Sequence, residues 1–136
     1  MYASLPHVTA LNAGRRITAT SRPDATSVAG FLADTAAILD GILSERDYVL
    51  PIPTTATGAL GVLRHFNALG AHAFIEEASP SGKKGGAEAA MAMWENAQKM
   101  LRDGILELDA PTNREKTMPR APAACATPFF TRDLRF

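Results

Sequence analysis

The chain has 136 residues, 46% hydrophobic and 21% charged, with 14 basic and 14 acidic side chains and no formal net charge. That length and balance fit one folded domain with a small core, and the lack of a basic excess excludes bulk electrostatic attachment to DNA. A single cysteine, Cys125, excludes an intramolecular disulfide; in a Pro/Ala-rich segment remote in sequence from every histidine, it reads as a small apolar filler.

Met1 to Pro6 shows no basic flank and no apolar run, so no signal peptide is expected. No stretch is expected to reach the ~20 apolar residues that span a bilayer, so no membrane partner is expected either. Ser4 to Asn12 predicts a short helix, with Ser4 as N-cap, Pro6 in the first turn and Gly14 as a left-handed stop. Leu5, Val8 and Leu11 would share its inner face. Arg15 to Pro23 carries no helical stripe; Arg15 and Arg16 read as a solvated loop or partner contact, and Ser21-Arg22-Pro23-Asp24 as a turn.

Thr26 to Pro53 is the stretch that organises the sequence. Val28, Phe31, Leu32, Thr35, Ile38, Leu39 and Ile42 recur at steps of three and four, one stripe down a helix. Asp34, Asp40 and Glu45 fall off that stripe. Thr26 or Ser27 can cap the start, Asp24 adds favourable charge there, and Arg46 suits the far end. Pro51 and Pro53 stop the helix no later than Val49, leaving an extended exit marked by Arg46, Tyr48 and Pro51.

Thr54 to Gly58 is a loop with capping residues, followed by a third helix from Ala59 to Glu77. Leu60, Leu63, Phe66, Leu69, Gly70, Ala73 and Phe74 mark its buried face, and Gly61 and Gly70 read as points of close helix approach. Ser79 to Gly86 breaks the pattern; its Gly and Lys residues lack the order of a phosphate-binding loop, and no strand precedes them. A fourth helix is expected from Ala87 to Leu106, with Ala87, Ala90, Met91, Trp94, Ala97, Leu101 and Ile105 inward and Gly104 weakening its last turn. Met91, Met93 and Met100 read as core filler or subunit packing.

From Glu107 the prolines Pro111, Pro119, Pro122 and Pro128 exclude a long helix. Residues 1–106 therefore read as a helical bundle and 107–136 as an extended C-terminal docking arm. The arm ends in Pro128-Phe129-Phe130-Thr131-Arg132-Asp133-Leu134-Arg135-Phe136. Such aromatics are foreign to a disordered tail, and exposed they would drive association. The reading is that they fill pockets on a neighbouring chain; the alternative is that the arm folds back on its own bundle.

Chemistry finds no foothold in the pattern. His65 and His72 are seven residues apart, about 10 Å along a helix axis at ~1.5 Å per residue, too far to share one zinc ion. Glu76 and Glu77 point to different sides, and no nucleophile elbow or Ser-His-Asp order is present. No enzyme, cofactor or metal is expected.

The long helix closing in Arg46-Asp47-Tyr48-Val49-Leu50-Pro51-Ile52-Pro53 resembles the head-to-tail adaptor (connector) proteins of long-tailed bacteriophages, closest to those of phages infecting actinobacteria. Leu63 to Ala71 followed by Glu76-Glu77, Met93-Trp94 to Gly104, and Pro128 to Phe136 are similar to the later parts of that family. The resemblance implies an all-α, small four-helix bundle with an extended C-terminal arm. It implies a structural virion protein, assembled in the host cytoplasm, with twelve copies forming a ring beneath the portal. The ring would continue the DNA channel toward a stopper or tail-completion protein, and DNA would pass without sequence-specific binding. The partner-docking residues it implies are Pro128, Phe129, Phe130, Thr131, Arg132, Asp133, Leu134 and Phe136. The other class weighed is a bacterial helical-bundle regulator binding DNA or a small ligand; it needs a basic recognition helix that the chain does not offer.

Overall fold

The computed structural model describes residues 1–12, 15–79 and 84–113. Four helices follow one another: α1 Leu5–Leu11, α2 Ala25–Glu45, α3 Thr57–Ala78 and α4 Lys84–Arg102. Among the described residues there is no strand, only an isolated bridge between Tyr48 and Thr112. The molecule is an all-α four-helix bundle.

Local chemistry sets the helix ends. The Ser4 N–H donates to His7 Nδ1 at 3.0 Å across the first turn of α1, and Asn12 closes that helix, its Nδ2 donating to the Val8 carbonyl at 2.8 Å. The expected stop at Gly14 lies outside the described residues. Asp24, rather than Thr26 or Ser27, is the N-cap of α2: its Oδ1 accepts from the Ser27 N–H at 2.8 Å. That acceptance holds the Asp24 carboxyl below its ordinary range. Helix α3 starts on Ala56, which offers no side-chain cap, so the expected capping by the threonines of this loop does not occur. Helix α4 stops at Arg102, short of Leu106, because Gly104 takes a left-handed conformation (φ 73°) just beyond its end.

The centre of the bundle is α3, not α2. Two clusters of buried side chains lie on different sides of it. One gathers Leu39, Leu43, Leu63, Phe66, Trp94 and Leu101 from α2, α3 and α4. The other gathers Ala3, Val8, Val28, Leu32, Ala68, Ala71 and Ile75 from the N-terminal stretch, α1, α2 and α3. Small residues let α3 be packed on several sides. A Cβ on Gly70 would lie 2.8 Å from Thr35 Cγ2 and 3.1 Å from the Trp94 ring, so here α2, α3 and α4 meet with no space to spare. Gly61, by contrast, faces open space, and the close approach expected there does not exist.

Most of the expected stripes are inside, with informative exceptions. In α2, Ile38 is exposed and Phe31 only half-buried, while Ala36 and Leu43 are buried in their place. In α3, Leu60 and Phe74 are half-buried. Leu11 of α1 is exposed, and Ile105, expected inside a longer α4, is 70% exposed past its end. Helix α2 is also long and apolar enough, by length and composition, to cross a membrane, which the sequence reading excluded. Its alanines, leucines and isoleucines raise its mean hydropathy, and its buried stripe packs on α1, α3 and α4.

The least expected feature is polar. Asn67, in the middle of α3, is completely buried. Its Oδ1 accepts from the N–H groups of Tyr2 and Ala3 at 3.1 and 2.8 Å. Its Nδ2 donates to the Leu32 carbonyl at 2.9 Å and to Thr35 Oγ1 at 2.7 Å. Thr35 Oγ1 in turn donates to the Phe31 carbonyl at 2.8 Å. The amide thus uses its full hydrogen-bonding capacity, the condition under which burying it is tolerated. It pins the N-terminus to α3 and sets α3 against α2.

Candidate functional site

The sequence places its functional weight on two features, the exit after α2 and the C-terminal arm. The docking residues Pro128, Phe129, Phe130, Thr131, Arg132, Asp133, Leu134 and Phe136 lie outside the described residues, as does Cys125. The exit is fully described, and residues 107–113 lie against it.

Arg46 is the C-cap of α2, and Asp47 follows with φ 63°, a left-handed turn on a residue type that tolerates it. This turn breaks the helix four residues before Pro51, earlier than the prolines require. The Leu50–Pro51 peptide is cis. Tyr48 then points inward and is buried, its hydroxyl accepting from the Leu108 N–H at 2.9 Å. The Val49 N–H donates to the Pro111 carbonyl at 3.0 Å, and the Asn113 N–H to the Asp47 carbonyl at 2.7 Å. Leu108 joins the core cluster and Ala110 packs against it. The first residues assigned to the arm, 107–113, therefore lie on the bundle and bond to the exit.

Arg46 completes the lock. Its guanidinium lies over Gly104, where a Cβ would fall 2.6 Å from Nη2. Left-handed backbone and missing side chain are both used at that glycine. Beside the exit is an open cavity of about 360 Å³ lined by Thr55, Ala56, Thr57, Gly58, Asp109, Ala110 and Pro111. Pro51 is exposed on the outer side.

Of the three residues named for the exit, Arg46 and Tyr48 thus touch the returning chain. Sequence reasoning missed Leu108 and the role of Gly104. A signal for the latter existed: Lys99 and Arg102 in the last helical turn followed by a glycine is a helix-end pattern.

The histidines do not converge. His65 is exposed, its ring tilted against Phe66. His72 is half-buried, with Nδ1 2.8 Å from Asn12 Oδ1. Burial holds its pKa below the ordinary imidazole value; Glu76 opposes that shift and Arg15 adds to it. Arg15 pairs with Glu76 at 3.2 Å, so it is a contact within the chain, while Arg16 is exposed. Glu77 is exposed and lines an open groove beside α4, while Glu76 pairs with Arg15. Among the described residues no group of three or more His, Cys, Asp or Glu side chains could hold a metal ion. No family model, curated protein or solved structure matches this chain.

Proposed function

We propose that the protein is a head-to-tail adaptor of a long-tailed bacteriophage. Identical subunits form a ring between the portal and the stopper or tail-completion protein and carry the DNA channel onward without reading sequence. What supports the reading is the sequence resemblance together with one structural feature: an all-α body whose C-terminal chain leaves from a fixed root. The ties Asp47–Asn113, Val49–Pro111 and Tyr48–Leu108 hold residues 107–113 to the exit of α2. An arm that starts from a fixed point reaches a neighbour at a lower ordering cost than one trailing from a frayed helix end.

In this reading the body is structural, no residue performs a reaction, and Phe129, Phe130 and Phe136 fill pockets on an adjoining subunit or on the portal once the ring is assembled. Arg132 and Asp133 anchor the arm by hydrogen bonding. Deletion of Thr127 to Phe136 tests this. The expected result is a truncated chain with full helical circular dichroism that no longer joins portal-bearing heads. Unimpaired joining by the truncated chain contradicts the docking role, and loss of the helical signal means that the segment is part of the core.

A further inference from the structure

Charge is divided unevenly along this neutral chain. Residues 114–136 carry five basic and two acidic side chains, net +3, so residues 1–113 carry net −3. The acidic excess of the body borders two adjoining apolar depressions. One, of about 340 Å³, is lined by Phe31, Asp34, Phe74, Glu77 and Ala78. The other, of about 290 Å³, lies between α3 and α4 and is lined by Glu77, Ala87, Glu88, Met91, Ala92 and Glu95. Glu77 stands on both rims.

Apolar floor and acidic rim are separated cleanly. Phe31 and Phe74 meet edge to face at 5.8 Å between ring centroids, and both remain half-buried. Met91 and Ala87 are half-buried as well, whereas Asp34, Glu77, Glu88 and Glu95 are exposed. Such a surface accepts phenyl rings on its floor and cations on its rim. We propose that this acid-rimmed groove seats residues 128–136 of the same chain in the free subunit. Phe129 and Phe130 lie on the aromatic and methionine floor, and Arg132 and Arg135 face the glutamates.

Chain length supports the seating within one chain. The arm departs beside Asp47, at the C-terminal end of α2, and the groove lies against Phe31 and Asp34 in its N-terminal half. The separation along α2 is roughly 20 Å at ~1.5 Å per residue. Residues 114–127 are long enough to bridge it: fourteen residues reach at most roughly 45–50 Å. A tether that reaches makes the contact intramolecular, which favours it over a second copy in dilute solution. The contact hides the phenylalanines in the free subunit until assembly offers them another seat, whatever that assembly is.

The test uses the full chain with Phe130 replaced by photoreactive p-benzoylphenylalanine, as an equal mixture of unlabelled and isotope-labelled protein. Irradiation, digestion and mass spectrometry then identify the joined peptides. The expected adducts join position 130 to peptides containing Phe74–Ala78 or Ala87–Glu95, with both halves from one chain. Double substitution E88K/E95K lowers their yield by at least about threefold, through loss of the rim charges, whereas E45K, far along α2, leaves it unchanged. Adducts to other surfaces, adducts mixing the two isotopes, or no adduct overturn the proposal. None of those results bears on portal binding, which is measured separately.

Discussion

The middle of α3 and the exit of α2 both tie a distant stretch of chain to the bundle, by opposite means. At the centre a single side chain, Asn67, holds the N-terminal backbone and the α2 backbone at once. At the exit the ties run largely between backbone groups of residues 47–49 and 111–113, helped by one tyrosine hydroxyl. A side-chain tie concentrates its risk in one residue; a backbone tie spreads it and tolerates most substitutions that keep the local turn.

Replacing Asn67 is the hardest test of that contrast. Asn67→Leu fills the space but leaves the N–H groups of Tyr2 and Ala3 without their acceptor, one of them fully buried. The expected loss is about 3 kcal/mol in urea unfolding, with faster hydrogen exchange at both amides. At the exit, Val49→Ala keeps every backbone tie and should cost under about 1 kcal/mol. Equal costs for the two substitutions would erase the distinction.

Gly70 and Gly61 sharpen the point within α3. Gly70→Val drives side-chain atoms into Thr35 and Trp94 and should cost about 1–3 kcal/mol. Gly61→Ala points into open space and should stabilise by up to about 1 kcal/mol through helix propensity. Thermal denaturation of the pair reads both signs. Tyr48→Phe removes the tyrosine hydroxyl bond of the exit and strands the buried Leu108 N–H, an expected cost of about 1–2 kcal/mol. The arm root then exchanges faster at Leu108 while Tyr2 and Ala3 stay protected.

The smallest effect is one of pH. Burial lowers the pKa of His72, so the folded chain takes up this proton at lower pH than the unfolded chain. Its contribution to stability is full above the ordinary 6.5 and is lost as pH falls from there through the folded value. The urea midpoint should therefore drop between neutral and mildly acidic buffer, and His72→Gln should flatten that part of the curve.

What the sequence revealed followed what is periodic. Val28, Leu32, Leu39 and Ile42, or Ala90, Trp94, Ala97 and Leu101, sit inside because apolar spacing alone selects a helix face. Asn67 was invisible because a polar residue on an apolar face reads as a gap in the stripe; nothing local announces that the N-terminal backbone will arrive to satisfy it. The central place of α3 was hidden for a related reason: Ala68, Gly70, Ala71 and Ala73 are weakly hydrophobic, yet their smallness admits neighbours on several sides. Leu108 escaped notice because an irregular segment has no period, and the early end of α2 because a left-handed Asp47 carries no warning as strong as Pro51.

The central proposal is that this body is one member of a ring seated on a portal. Native mass spectrometry of the full chain, alone and with a phage portal protein as the proposed partner, tests that proposal directly. The account predicts a monomer or weak associate alone, and with portal a complex holding as many copies of this chain as of portal. A tight, self-sufficient dimer with no affinity for the portal would contradict it.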